Sequence, residues 1–385
     1  MGWCSTADLD RFVVAAGGYL RSTAVENTLL LSAAQAARSG RDPRIVGRPP
    51  GTARPQGPSS AQGRGAAPAG TGLLFGWWEP PDGSEPRGAF LHDPALPLLI
   101  AGRAPEMAAA LAGTLAKMGR PVCGVDGPIE AADAFAAAWS HRSGTPIRVH
   151  KHCRVYRLAA GGTGAAGTRA AFPADPGFVA EPAAGVPGAW APQESPGPVG
   201  RLRVATGDDR ALIVDWLTAF AAETGERIGS PQVMADDLIG YGGAVLWESP
   251  QRPSRVREAA QHLQPGAMAA LTRPLAGTVR INMVYTLPDR RRSGYATAVT
   301  YAATRAILEG TAPRIQAGVS PHAALQVVVI TDRNRPDRRV ARLGYQLVDQ
   351  RAVLRFGPPT GPLPSLRATG PMPRLPTGPL PRTRR

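Results

Sequence analysis

The sequence predicts an α/β protein in two ordered segments, and three observations carry that reading. Short apolar runs of strand length alternate with stretches of helical periodicity in both segments. A long stretch dominated by Ala, Gly and Pro, from Ala159 to about Val199, separates them. One strand-length run, Thr278 to Thr286, passes through a basic turn directly into an amphipathic helix. At 385 residues the chain has room for two or three domains of roughly 150 residues each. Two is the count the separator supports.

In the first segment, residues 1–158, Phe12, Val13, Ala16 and Leu20 fall at helical spacing. Leu73 to Trp78 and Leu96 to Ile100 have the length and apolarity of short buried strands, and Glu106 to Leu115 and Ile129 to Trp139 read as helices. A stretch rich in Gly and Pro, about 40–72, interrupts the segment and is expected to be a disordered insertion.

The separator, residues 159–199, includes Gly161-Gly162-Thr163-Gly164, Pro187, Pro192, Pro196 and Pro198. It has too few large apolar residues to offset its ordering entropy and is expected to be a flexible linker. The second segment, 200–357, opens with a strand at Arg201 to Ala205. Asp208 then starts a helix with an apolar face of Leu212, Trp216, Ala219 and Phe220. Strands are expected at Ala244 to Trp247, Ala267 to Leu271, Thr278 to Thr286 and Val327 to Asp332. The last residues, 358–385, repeat Thr-Gly-Pro-Leu/Met-Pro three times among arginines, from Thr360, Thr369 and Thr377. Proline at that density suits neither a helix nor a central strand, so a disordered tail is expected.

The formal charge is +15, which would favour an anionic partner. Lys117 and Lys151 are the only lysines, however, and the arginines are scattered rather than blocked. Without an aromatic-rich RNA motif or paired cysteines, dispersed arginines predict no specific nucleic-acid partner. Cys4, Cys123 and Cys153 have neither zinc-site nor disulfide-framework spacing, and the six histidines form no metal spacing either. No metal is expected. The early charges Asp8, Asp10 and Arg11 do not suit a signal peptide, and no run of 18 apolar residues occurs, so no membrane association and a cytoplasmic location are expected.

Chemistry concentrates in Val284-Tyr285-Thr286-Leu287-Pro288-Asp289-Arg290-Arg291-Arg292-Ser293-Gly294-Tyr295-Ala296-Thr297. A strand ends at Pro288, a basic turn follows, and Gly294 opens a helix to Glu309 with a stripe of Val299, Ala302, Ala303, Ala306 and Ile307. Gly310 and Pro313 stop it. Such a junction presents backbone N–H groups and the positive helix end to a pyrophosphate, and Gly294 lets the backbone approach it closely.

These residues resemble the GNAT acetyltransferases, whose fourth strand is followed by Gln/Arg-x-x-Gly-x-Gly/Ala. Arg291-Arg292-Ser293-Gly294-Tyr295-Ala296 matches that pattern. Leu271-Thr272-Arg273-Pro274 with Gly277, the Val284-Tyr285-Thr286 strand, Val327 to Asp332 and Arg342-Leu343-Gly344-Tyr345 resemble a bacterial subgroup in order and spacing. The resemblance covers about Leu202 to Phe356. It implies a mixed sheet that splays beside a bulged fourth strand, with acetyl-CoA as cosubstrate in the gap and an amine as acceptor. Backbone groups of Val284, Tyr285 and Thr286 would then pair with the pantetheine arm, and Arg291, Arg292, Ser293, Gly294, Tyr295, Ala296 and Thr297 would hold the pyrophosphate. The first segment looks like a degenerate copy of the same fold, as in tandem members of the family: Glu26-Asn27 and Gly88-Ala89-Phe90-Leu91 resemble their N-terminal halves. Its counterpart turn, Gly102-Arg103-Ala104-Pro105-Glu106-Met107, lacks the motif, so it is expected to bind no CoA and to cover the acceptor side.

The chain departs from the family twice. Arg292 and Ser293 stand where members often have a Gly and a basic residue. After the fifth strand, Asn334-Arg335-Pro336-Asp337-Arg338-Arg339-Val340 places Val340 where relatives carry the Tyr that protonates the departing thiolate. Tyr345 is the candidate substitute acid, with packing as its competing role. Glu248, at the end of a strand, is the candidate base, with a solvated strand-end carboxylate as the alternative. The expected chemistry is transfer of an acetyl group to an amine by direct attack on the thioester, which needs positioning, proton removal and oxyanion stabilisation. The competing reading is a CoA-binding or interaction module without turnover. Acceptor identity, acyl-chain length and oligomeric state stay open.

Overall fold

The computed structural model describes residues 2–39, 72–80, 82–159, 197–226, 228–250, 263–311, 325–333, 340 and 342–357. The expected insertion at 40–72 (Gly72 itself apart), most of the linker, the tail, Pro313 and the Asn334 to Arg339 stretch lie outside the described residues.

The first segment runs β1 (Gly2–Thr6), α1 (Leu9–Ser22), α2 (Thr28–Arg38), β2 (Leu74–Glu79), β3 (Ala89–His92), β4 (Leu98–Ala101), α3 (Pro105–Lys117), β5 (Gly124–Pro128), α4 (Ile129–Ser143) and β6 (Ile147–Ala159). The second runs β7 (Arg201–Val204), α5 (Arg210–Thr224), α6 (Pro231–Tyr241), β8 (Ala244–Pro250), β9 (Leu263–Leu271), β10 (Thr278–Thr286), α7 (Tyr295–Leu308), β11 (Gln326–Asp332) and β12 (Gln346–Phe356). The helix expected from Asp208 begins as a single 3-10 turn, Gly207–Asp209, where Thr206 and Asp209 form a reciprocal capping box.

All 12 strands form one mixed sheet in the order β1-β2-β3-β4-β5-β12-β6-β11-β10-β9-β8-β7. The order reads alike from both edges, each segment contributing an equivalent half. The halves exchange their last strands: β12 pairs with β5 of the first segment, β6 pairs with β11 of the second, and β6 and β12 pair along the middle. The sheet is therefore continuous across the boundary drawn from the sequence. Most pairs are antiparallel, while β4 with β5 and β10 with β11 are parallel.

Helices cover both faces. The α3–α4 pair buries Leu111, Leu115, Phe135 and Trp139 against Ala352 and Leu354 of β12. On the same face α7 packs Val299, Ala303 and Ile307 on Val279, Ile281 and Val327. The other face holds α1 and α2, over Phe75, Trp77 and Leu91, and α5 and α6, over Leu246, Met268 and Met283. Arg280 confirms the shared side: it lies between Val279 and Ile281, which face α7, and its own side chain reaches Thr28 at the start of α2.

Candidate functional site

The site candidates gather where β10 leaves β11. The two strands pair from Thr278↔Gln326 only to Ile281↔Val329, although β10 continues to Thr286. At that point the register with β9 shifts between Ile281 and Met283, which makes Asn282 a bulge residue, and it is exposed. A bulge bends its strand and ends pairing locally. Beyond it, one row of β10 backbone groups pairs with no described strand, which leaves a gap between β10 and β11 among the described residues.

The side chains beyond the bulge alternate. Val284 packs on the α7 side. Tyr285 turns to the α5–α6 side, its ring 5.6 Å from that of Trp216. Thr286 Oγ1 is buried without a hydrogen-bond partner. A buried orphan hydroxyl at the rim of an unpaired strand is a place for a ligand's polar group.

After Thr286 the chain makes a 3-10 turn at Pro288–Arg290 and enters α7 at Gly294. Gly294 has φ +85°, and Arg292 has φ +62°, an uncommon conformation for a residue with a side chain. Gly294 caps α7 without a side-chain hydrogen bond, so the cap residue itself leaves the first-turn N–H groups unsatisfied. The three arginines differ in their engagement. Arg290 donates from Nη1 to Tyr295 Oη at 3.0 Å, and that hydroxyl lies 2.7 Å from Ser249 Oγ on β8. Arg291 donates from Nε to the Thr286 carbonyl at 3.1 Å, and its Nη2 lies 2.8 Å from each oxygen of Glu223 near the end of α5. Arg292 is exposed and is bonded to no described residue. Ser293 and Ala296 complete the turn, and Thr297 lies half-buried in the first turn of the helix.

Two close approaches shape this junction. Tyr295 lies so near β9 that a Cβ on Gly266 would come within 2.4 Å of its ring. Gly197 and Pro198, just before β7, cover part of the turn: a Cβ on Gly294 would meet the Gly197 Cα at 3.0 Å.

Both acid–base candidates are engaged by other side chains. Glu248 is buried on β8, its Oε2 3.0 Å from Arg201 Nε and its Oε1 2.6 Å from Arg203 Nε. Arg203 also grips Asp209 with two bonds of 2.6 and 2.8 Å, and this guanidinium holds the Asp209 carboxyl below the usual range. Glu248 thus belongs to an ion cluster that ties β7, β8 and the start of α5 together. Tyr345 is buried in the α7 core, and its hydroxyl lies 2.6 Å from Thr304 Oγ1. Burial raises its pKa far above the ordinary phenol value, so the group stays protonated and stays inside. Val340 packs in the same core.

The equivalent junction of the first segment, β4 to α3, is filled by the protein itself. Met107 is buried between Gly88 and Gly102, where a Cβ would come within 2.1 and 2.7 Å of its side chain. Trp3 Nε1 donates to the Met107 carbonyl at 2.9 Å, close to the start of α3.

Among the described residues no cluster of His, Cys, Asp and Glu could hold a metal ion, and no helix is long and apolar enough to cross a membrane.

No family profile and no curated protein matches the chain. Among solved structures it is similar to a GCN5-related N-acetyltransferase from Sphaerobacter thermophilus, at 14% identity and TM-score 0.45, over 92% of this chain and 95% of that one. It is also similar to a tandem GNAT protein from the clavulanic acid biosynthesis pathway, at 15% identity and TM-score 0.41, over 92% and 98%. A GCN5-related N-acetyltransferase from Kribbella flavida gives 17% identity and TM-score 0.38, over 70% and 86%.

Proposed function

We propose that the second segment is an acetyl-CoA-dependent N-acetyltransferase whose acyl group sits in the gap between β10 and β11, and that the chain works in the cytoplasm. The observation that carries this reading is the early parting of the two strands at the Asn282 bulge, on a strand that runs straight into a basic turn and a helix N-terminus. Each part has a chemical task. The exposed backbone edge of Val284 to Thr286 suits an amide-rich, extended arm, and its N–H groups suit a thioester carbonyl as negative charge develops. The Arg291 to Thr297 turn combines an uncapped helix end with Arg290 and Arg292, a setting for a pyrophosphate.

In this mechanism the amine attacks the thioester carbon directly from the α5–α6 face, and CoA leaves as a thiolate. Orientation of the two reactants supplies most of the acceleration. Glu248 and Tyr345 do not take part, since one is shared by two guanidinium groups and the other is buried on Thr304. The incoming amine would lose its proton to water in the gap. That both described acid–base candidates are engaged by other side chains is the observation that favours the second reading, a CoA-binding module without turnover. Release of free thiol from acetyl-CoA in the presence of a panel of amines separates the two: amine-dependent release supports the transferase, and binding without release from any amine supports the module.

A further inference from the structure

The two segments meet in a buried polar seam beneath the α1–α2 turn. Arg280 on β10 is 1% exposed, and its Nη1 makes a long 3.4 Å contact to Thr28 Oγ1. Its Nε and Nη2 are buried and have no hydrogen-bond partner among the described residues. These two nitrogens share one edge of the guanidinium plane, the edge that takes a carboxylate in two parallel N–H···O bonds.

Arg351 on β12, in the same seam, shows that edge filled. Its Nε and Nη2 lie 3.0 and 2.8 Å from Asp126 Oδ1, and its Nη1 donates to the Glu26 carbonyl at 3.3 Å. Asp126 is thus taken by Arg351. Asp349, buried in the same seam, accepts from Arg103 at 2.5 Å through Oδ1, and its Oδ2 is buried with no hydrogen-bond partner among the described residues. Burial lowers the pKa of Arg280 to about 10, which leaves the group charged at neutral pH. A charged group this deep with its gripping edge empty calls for a partner of opposite charge.

Position gives that partner a source. Arg280 pairs with Val328 one step before Ile281↔Val329, the last pair before β10 and β11 part. It lies on the face away from α7 and the basic turn, the face left for the acceptor. We propose that the Nε/Nη2 edge of Arg280, under Thr28 where the two segments join, binds a carboxylate, and that the carboxylate belongs to the acyl acceptor, an amine that also carries an acid group. The seat itself stands on the seam alone; the acceptor as its source rests on the acetyltransferase reading. Val25 of the α1–α2 turn packs on Val155 and Val328, the latter the residue opposite Arg280 on β11.

The test uses the full chain, its Arg280→Met variant and Arg280→Lys, which keeps the charge and loses the two-pronged edge. Methionine matches the buried volume, and circular dichroism checks that both variants fold. Acetate, titrated during thermal melts, is expected to raise the melting temperature saturably in the parent protein and in neither variant. Thiol release is then compared for tyrosine against tyramine and for lysine against 1,5-diaminopentane. In the parent protein the carboxylate-bearing member of at least one pair is expected to show a KM lower by roughly tenfold. In Arg280→Met that preference should vanish while turnover of the decarboxylated amine persists. No saturable anion effect, or an equal effect in Arg280→Met, overturns the seat. An Arg280-dependent anion effect with equal KM values within every pair overturns the acceptor as its source. An Arg280-dependent anion effect with no thiol release from any amine supports the seat and contradicts the acetyltransferase reading.

Discussion

Arg291 and Glu223 form a two-pronged contact, one guanidinium nitrogen 2.8 Å from each carboxylate oxygen, that ties the candidate nucleotide turn to the end of α5. Both side chains are about two-fifths exposed, at 41% and 43%. The pair therefore contributes little to folding, within about 1 kcal/mol. Its larger effect is on the turn, because the carboxylate occupies the same arginine that a pyrophosphate would use. Glu223→Gln is expected to leave the melting temperature nearly unchanged and to tighten acetyl-CoA binding severalfold by calorimetry. Unchanged or weaker binding would show that Arg291 serves the fold alone.

Glu248 should behave as a structural carboxylate. Replacing it with Gln leaves Arg203 on Asp209 alone and frees Arg201, so urea unfolding is expected to show a loss of about 1–3 kcal/mol. The pH profile of thiol release should keep its shape. Loss of its acidic limb, or a fall in kcat of more than about a hundredfold with KM unchanged, would return Glu248 to the reaction as its base.

His92 predicts an acid sensitivity of the first segment. It is fully buried, its Nε2 lies 2.9 Å from the Pro121 carbonyl and its Nδ1 accepts from Arg120 Nε at 3.0 Å. Burial lowers its pKa to about 4. The folded state therefore resists a proton that the unfolded chain takes up near 6.5, and stability is complete above that value and falls as pH drops toward 4. The total is roughly 3 kcal/mol by linkage. Denaturant melts between pH 7 and 4 should show this slope, and His92→Gln should remove it. A parent protein equally stable at both ends would refute the account of His92.

Much of the local structure was legible in the sequence, because it depends on local pattern. The strand expected at Thr278 to Thr286 has those bounds, and the helix expected from Gly294 runs Tyr295–Leu308 with Gly294 as its cap. α6 has a weak signature in the sequence, since its buried apolar positions, Met234, Ala235 and Leu238, are few. Long-range pairing was not legible either. Nothing in β6 or β12 announces that each crosses into the other half, because an apolar alternation specifies a buried face and not a neighbour. The bulge at Asn282 depends on its register with β9, a property of two strands together, so a bulged strand is expected only through the family resemblance and its position is not. Glu248 and Tyr345 carry the residue types that proton transfer needs, but their partners Arg201, Arg203 and Thr304 come from other elements and cannot be read from local pattern.

Acetyl-CoA binding measured by calorimetry on the parent chain, Gly294→Asp and Arg292→Glu tests the central claim most directly. A carboxylate at Gly294 opposes a pyrophosphate at the helix end, and its Cβ strains a φ of +85°. Arg292 is exposed, so its variant changes the charge of the turn without disturbing the fold. The account predicts saturable binding by the parent, weakened at least about tenfold in Arg292→Glu and lost in Gly294→Asp. No binding by the parent, or equal binding by all three, would contradict it.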